Sequence, residues 1–128
     1  MVKKRKETIL VVDDEPAIFI SIKLILSKDY KLIYYKDAAS ALKYLKKKSA
    51  LPSLILLDVI MPGIDGMGFL DALREKNLQI PVIMLSAIST AKAAADAFHR
   101  GAVDYIVKPF THAEVVSKIN KALKRECA

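Results

Sequence analysis

The stretch Ile9-Leu10-Val11-Val12-Asp13-Asp14 sets the reading of the chain: four apolar residues in a row stop abruptly on two acids. A run without polar alternation suits a strand buried on both faces, as in a parallel sheet covered by helices. The same shape recurs at 32–35, 54–57, 82–85 and 105–107. These spacings leave room for one helix between successive strands, which predicts a chain of βαβ units.

The intervening segments support that reading. Ala38, Ala41, Leu42 and Leu45 fall at helical spacing behind Asp37, a candidate N-cap. Ile18, Ile22, Ile25 and Leu26 form a similar stripe after Pro16, a residue suited to a first helical turn. Phe69, Leu70 and Leu73 mark a third helix. Val116, Ile119 and Leu123 mark a last one, capped by Thr111 and ending among Lys121, Lys124 and Arg125. The segment 91–100 differs: it is rich in alanine, its one large apolar residue is Phe98, and Gly101 is its stop. With so little apolar mass this helix is expected to dock weakly and shift easily. The expected fold is α/β, five parallel strands with five helices, as a single domain over 1–128 with 1–7 as a basic N-terminal tail.

In such sheets ligands gather at the C-terminal ends of the strands. Those ends are Asp13-Asp14, Asp58, Ser86 and Lys108-Pro109, each directly after an apolar run. If the first and third strands are neighbours, three carboxylates converge. Like charges so close cannot all stay ionised without a cation, and a hard divalent ion such as Mg²⁺ suits oxygen ligands. Carboxylates, a metal, a lysine and a hydroxyl are the parts that hold a phosphoryl group, and one carboxylate can itself be the nucleophile. No glycine-rich nucleotide motif and no Cys/His metal spacing is present, and His99 and His112 fall on helices away from the strand ends.

Four motifs in order now carry a resemblance: Val11-Val12-Asp13-Asp14-Glu15-Pro16; Leu57-Asp58-Val59-Ile60-Met61-Pro62-Gly63-Ile64-Asp65-Gly66; Leu85-Ser86-Ala87; and Gly101-Ala102-Val103-Asp104-Tyr105-Ile106-Val107-Lys108-Pro109-Phe110. Over about 8–125 the chain resembles the response-regulator receiver domain of two-component signalling, the CheY-like family. The resemblance implies a flavodoxin-like, doubly wound sheet in the order 2-1-3-4-5. It implies that Asp58 takes a phosphoryl group from a histidine kinase or phosphotransfer protein. It also implies Mg²⁺ held by Asp13, Asp14, Asp58 and the carbonyl of Ile60, with Lys108, Ser86 and Ala87 binding phosphate. Ser86 and Tyr105 are the implied switch pair, and Lys108-Pro109 the implied cis peptide. The implied output face is helix 4, strand 5 and helix 5, which also makes a phosphorylation-dependent homodimer plausible. Ile60 and Ile88 stand where the family's attacking water passes; both are apolar, so slow self-dephosphorylation is expected.

Blander readings stand beside these. Asp13-Asp14-Glu15 alone would suit any helix N-terminus, Ser86 alone would be a turn residue, and Tyr105 could simply fill a strand. Asp65 and Asp104 read as turn or surface acids, Met61, Met67 and Met84 as packing, and Cys127 as a free terminal thiol. Two other functions compete: a pseudo-receiver that never takes phosphate, and a flavin-binding electron carrier, whose phosphate loop Asp13-Asp14-Glu15 would repel. The domain is not expected to be an enzyme beyond assisting its own phosphorylation and dephosphorylation.

The composition limits partners and place. The chain has 128 residues, 53% hydrophobic and 27% charged, with a single cysteine and a net charge of +7. No internal disulfide is possible, and the apolar run after the basic N-terminus is too short for a signal peptide or membrane helix. A cytoplasmic protein is expected, with no membrane contact. The surplus of 21 basic over 14 acidic residues raises nucleic acid as a partner. Yet the basic runs fall in a tail, Lys3-Lys4-Arg5-Lys6, and at a helix end, Lys46-Lys47-Lys48, with no reading helix or interleaved aromatics, so no direct nucleic-acid binding is expected. With Asp13, Asp14 and Asp58 committed to a pocket, the exterior is more basic still and favours an acidic docking surface on a partner.

Overall fold

The computed structural model describes residues 6–47, 51–60, 63 and 65–123. The elements alternate: β1 (Glu7–Val12), α1 (Pro16–Leu26), β2 (Tyr30–Tyr35), α2 (Ala38–Leu45), β3 (Leu54–Asp58), α3 (Gly66–Glu75), β4 (Val82–Ser86), α4 (Ala91–His99), β5 (Asp104–Val107) and α5 (His112–Ala122). The five strands are parallel in the order β2-β1-β3-β4-β5. The order reverses between β1 and β3, where Val12 pairs with Leu57. One residue beyond that pair the chain reaches Asp13 on one strand and Asp58 on the other.

β3 and β4 are buried along their whole length, as continuous apolar runs predict. Two apolar layers flank the sheet. On one side α2, α3 and α4 pack through Ala41, Leu45, Phe69, Leu73 and Ala97. On the other α1 and α5 pack through Ile22, Leu26, Val115 and Ile119. β1 and β2 begin two residues earlier than the apolar runs indicate, because Glu7 and Thr8 pair with Tyr30 and Lys31. α5 buries Val115 and Ile119, so its inward stripe sits one residue from the position read off Val116.

The caps follow local chemistry. Asp37, Asp65, Thr90 and Thr111 each accept from the backbone N–H three residues on, and Glu114 completes a capping box with Thr111. Asp65 is thus a capping residue, as well as a turn acid. Asp104 departs from its surface reading: its carboxylate takes a 3.0 Å bond from the Lys118 ammonium, which also donates to the Tyr105 carbonyl and ties α5 to β5. Met84 is buried and Met67 packs against the core. Met61, Pro62, Ile64, Lys48, Lys124, Arg125, Cys127 and most of the basic tail lie outside the described residues.

α1 is apolar nearly all round. Ile22 and Leu26 face the sheet, while Ile20 and Leu24 point outward, Leu24 being 82% exposed. α4 buries only Ala97 and leaves Phe98 47% exposed. Its C-terminal Arg100 forms ion pairs with Asp96 and with Asp71 of α3. No described helix is long and apolar enough to cross a membrane.

Candidate functional site

Asp13, Asp58 and Ser86 are the buried polar residues among those described, and all three stand at the C-terminal rim of the sheet. A cleft of about 250 Å³ opens there, lined by Asp14, Glu15, Asp58, Ile60, Ser86, Ala87 and Lys108. The strands deliver these residues because each apolar run ends one step short of the rim.

Asp58 is held by its own turn: the Ile60 N–H donates to its Oδ1 at 3.2 Å. Gly66, the first residue of α3, fixes the backbone behind it. A Cβ there would meet the Asp58 carbonyl oxygen at 2.3 Å and the Val59 Cα at 2.8 Å, so the close approach requires glycine. Asp13 Oδ1 accepts from the Glu15 N–H at 2.9 Å and its Oδ2 from Lys108 at 2.9 Å. Lys108 also donates to Glu15 at 3.0 Å and lies 3.6 Å from Asp58. The peptide between Lys108 and Pro109 is cis, as expected.

Burial, and then the charge of Asp13, push the Asp58 carboxyl up to about 6. Burial also raises Asp13, against the lowering effect of its bond to Lys108. Burial alone would pull the Lys108 ammonium down, but its bonds to Asp13 and Glu15 outweigh that and leave it raised, hence charged. One lysine therefore faces four carboxylates. Asp13, Asp14, Glu15 and Asp58 present oxygens that all lie within 4.8 Å of one another, a hard-oxygen set that could hold a divalent cation. One ammonium against four clustered carboxylates leaves negative charge that a cation would offset, so the residues present fit such an ion.

Ser86 Oγ accepts from the Ile88 N–H at 3.0 Å, and the Tyr105 hydroxyl donates to the Ile88 carbonyl at 2.8 Å. The two expected switch residues are joined through one peptide unit on each side of Ile88. Tyr105 is turned inward and buried. The Ile88 side chain does not line the cleft; it faces a separate apolar cavity shared with Val59, Met67 and α4. Ile60 does line the cleft.

Two residues were not singled out for the site from sequence. Glu15 belongs to the acidic cluster, and its place in the Asp13-Asp14-Glu15 run was the available signal. Tyr34, at the end of β2, donates its hydroxyl to the Asp13 carbonyl at 2.7 Å. Only the pairing of β2 beside β1 reveals it.

Residues 9–120 match the response regulator receiver domain family. A relative named "Probable transcriptional regulator ycf27", from Porphyridium aerugineum, is 38% identical over 94% of this chain and 50% of its own length. The alkaline phosphatase synthesis transcriptional regulatory protein PhoP of Bacillus subtilis is 36% identical over 91% of this chain and 48% of its own length. The chain thus spans about half the length of these curated relatives. Among solved structures, the receiver domain of the Francisella response regulator 1452 superposes with a TM-score of 0.85 at 29% identity, covering 93% of this chain and 98% of that one.

Proposed function

The chain belongs to the response regulator receiver domain family, and on that footing we propose that it is a phospho-accepting switch in which Asp58 is the acceptor. The observation that carries this reading is the placement of a buried carboxylate beside Lys108 and three further acids at the strand-order reversal.

In the proposed transfer an Asp58 carboxylate oxygen forms the bond to phosphorus while the bond from phosphorus to an imidazole nitrogen of the donor histidine breaks. The nitrogen keeps the electron pair, and the product is an acyl phosphate. Lys108 turns from Asp13 and Glu15 toward the phosphoryl oxygens. The Ser86 hydroxyl, which accepts one bond and still has a proton to give, donates to another. Mg²⁺ held by Asp13, Asp14, Asp58 and the Ile60 carbonyl would supply further positive charge for those oxygens. The reaction is reversed in sense by water: its oxygen bonds phosphorus, and the carboxylate leaves as inorganic phosphate forms. Ile60 lines the cleft without a polar group to orient that water, so the phosphorylated form is long-lived. The domain assists these two steps on itself and turns over no other substrate.

Output follows from the joint at Ile88. A Ser86 hydroxyl drawn to phosphate loosens its bond from the Ile88 N–H, while Tyr105 keeps the Ile88 carbonyl, and the β4–α4 connection shifts. α4, β5 and α5 then present the altered face to a downstream partner or a second copy. The two relatives are named as transcriptional regulators, and control of transcription through that face is the proposed pathway end, in a cytoplasmic setting.

Incubation with Mg²⁺ and acetyl phosphate, read by intact mass, tests the core of the reading. A gain of one phosphate that is lost in Asp58→Ala is expected. No gain in the native chain would favour a pseudo-receiver that works by contact alone. Decay of the phosphorylated form should quicken in an Ile60→Asn variant, which puts a polar group on the cleft wall.

A further inference from the structure

Asp13 and Asp58 have side-chain partners that fix their carboxylates; Asp14 does not. Among the described residues no hydrogen bond or ion pair reaches the exposed Asp14 carboxylate, although it lines the cleft and belongs to the acidic cluster. With no side-chain partner to hold it, what its backbone sets is the direction in which its Cα–Cβ bond leaves the chain. The peptide plane that ends at the Asp14 Cα begins with the Asp13 carbonyl, and that carbonyl accepts the 2.7 Å bond from the Tyr34 hydroxyl. The plane before it is fixed from the same strand, since the Asp13 N–H donates to the Tyr35 carbonyl at 3.2 Å.

Tyr34 is itself held firmly. Its ring stacks on Phe19 of α1, with centroids 4.5 Å apart and planes within 8°. Its backbone pairs with Val11 in the sheet. A rigid aromatic thus reaches from the edge strand to the loop that carries three of the four acids. A phenylalanine would keep the stack and the pairing but lose the bond.

We propose that Tyr34 is a positioning residue for the divalent cation: its hydroxyl bond to the Asp13 carbonyl fixes the peptide that aims Asp14 into the cleft. This rests on the reading of the site as a cation-binding phosphoacceptor centre. Groups that orient ligands from behind are commonly worth tenfold or more in metal affinity, while a single hydrogen bond is worth somewhat less.

Calorimetric titration of Mg²⁺ into the native chain, Tyr34→Phe, Asp14→Asn and the double variant decides the matter. Tyr34→Phe should weaken Mg²⁺ binding about 3- to 10-fold. The double variant should bind no more weakly than Asp14→Asn alone, because Tyr34 acts through Asp14. At saturating Mg²⁺ the rate of phosphorylation by acetyl phosphate should return to the native value in Tyr34→Phe. Unchanged affinity in Tyr34→Phe, or losses that multiply in the double variant, would overturn the positioning role while leaving the site's reading intact. A native chain that binds no Mg²⁺ would overturn both.

Discussion

At 9–12, 54–57 and 82–85 the sheet holds only apolar side chains, all of them buried; one residue further along, the buried side chains are Asp13, Asp58 and Ser86. The change of chemistry happens within a single step of 3.3 Å or so. In the body of the sheet, burial removes apolar surface from water and stabilises the fold. At the rim, burial strips water from ionisable groups and works against it. The rim persists because the body's apolar layers on both faces outweigh it. The difference places the candidate site where stability is given up, in keeping with the proposal that it binds an ion and a phosphoryl group.

The largest effect should come from breaking the body. Phe69 is fully buried between α3 and the sheet. Phe69→Ala should lower unfolding free energy by about 3–5 kcal/mol, read from urea denaturation. A loss below about 1 kcal/mol would mean that the layer under α3 carries little of the stability, and the contrast with the rim would fail.

The rim should respond with the opposite sign. The Asp58 carboxyl titrates near 6 in the fold, above its ordinary 3.8. The folded chain therefore holds a proton over a range where the unfolded chain has lost it, so stability falls as pH rises from about 4 to about 6. Above that range the full penalty is present; below about 4 both states are protonated and it vanishes. In the presence of a chelator, Asp58→Asn should be more stable than the native chain by on the order of 2 kcal/mol at pH 8, with the two converging near pH 3.5. A destabilised Asp58→Asn at pH 8 would show that the rim supports the fold.

The same contrast explains what could be read from sequence. Continuous apolar runs mark strands buried on both faces, so the body and its order of elements were legible from residues 9, 32, 54, 82 and 105 onward. Asp37 and Thr111 were legible as caps because the bond they accept lies three residues away. The four motifs brought Asp13, Asp14, Asp58, Ser86 and Lys108 forward, and the structure places them round one cleft, with Asp13 just beneath it. Hidden were the contacts that only tertiary pairing creates. The Tyr34 bond to Asp13 depends on β2 lying beside β1. The Lys118 bridge to Asp104 depends on α5 crossing β5. In α1 the stripe of Ile18, Ile22, Ile25 and Leu26 was legible and packs inward, but its spacing did not announce the exposed Ile20 and Leu24 on the outer side. Ile88 was expected beside the attacking water; its backbone bonds Ser86 and Tyr105, and it borders the cavity that it shares with Val59, Met67 and α4.

α4 lies between the two regimes, and the smallest effect is expected there. It covers the same face as α3 but buries Ala97 where α3 buries Phe69, Leu70 and Leu73. What it lacks in apolar contact it draws from Arg100, which reaches across to Asp71 of α3 and back to Asp96. Such exposed ion pairs barely alter global stability, so Arg100→Ala should leave the urea midpoint almost unmoved. Local opening is a different quantity, governed by the few contacts that hold one element down. Amide exchange in α4 should therefore quicken in Arg100→Ala while exchange in α3 stays as it is. The beryllofluoride complex of the native chain should change α4 exchange as well, since the Ser86–Ile88–Tyr105 joint feeds the start of that helix. Exchange in α4 that ignores both Arg100→Ala and beryllofluoride would mean the helix is docked as firmly as α3, and an output face that moves with phosphorylation would have to be sought elsewhere on the domain.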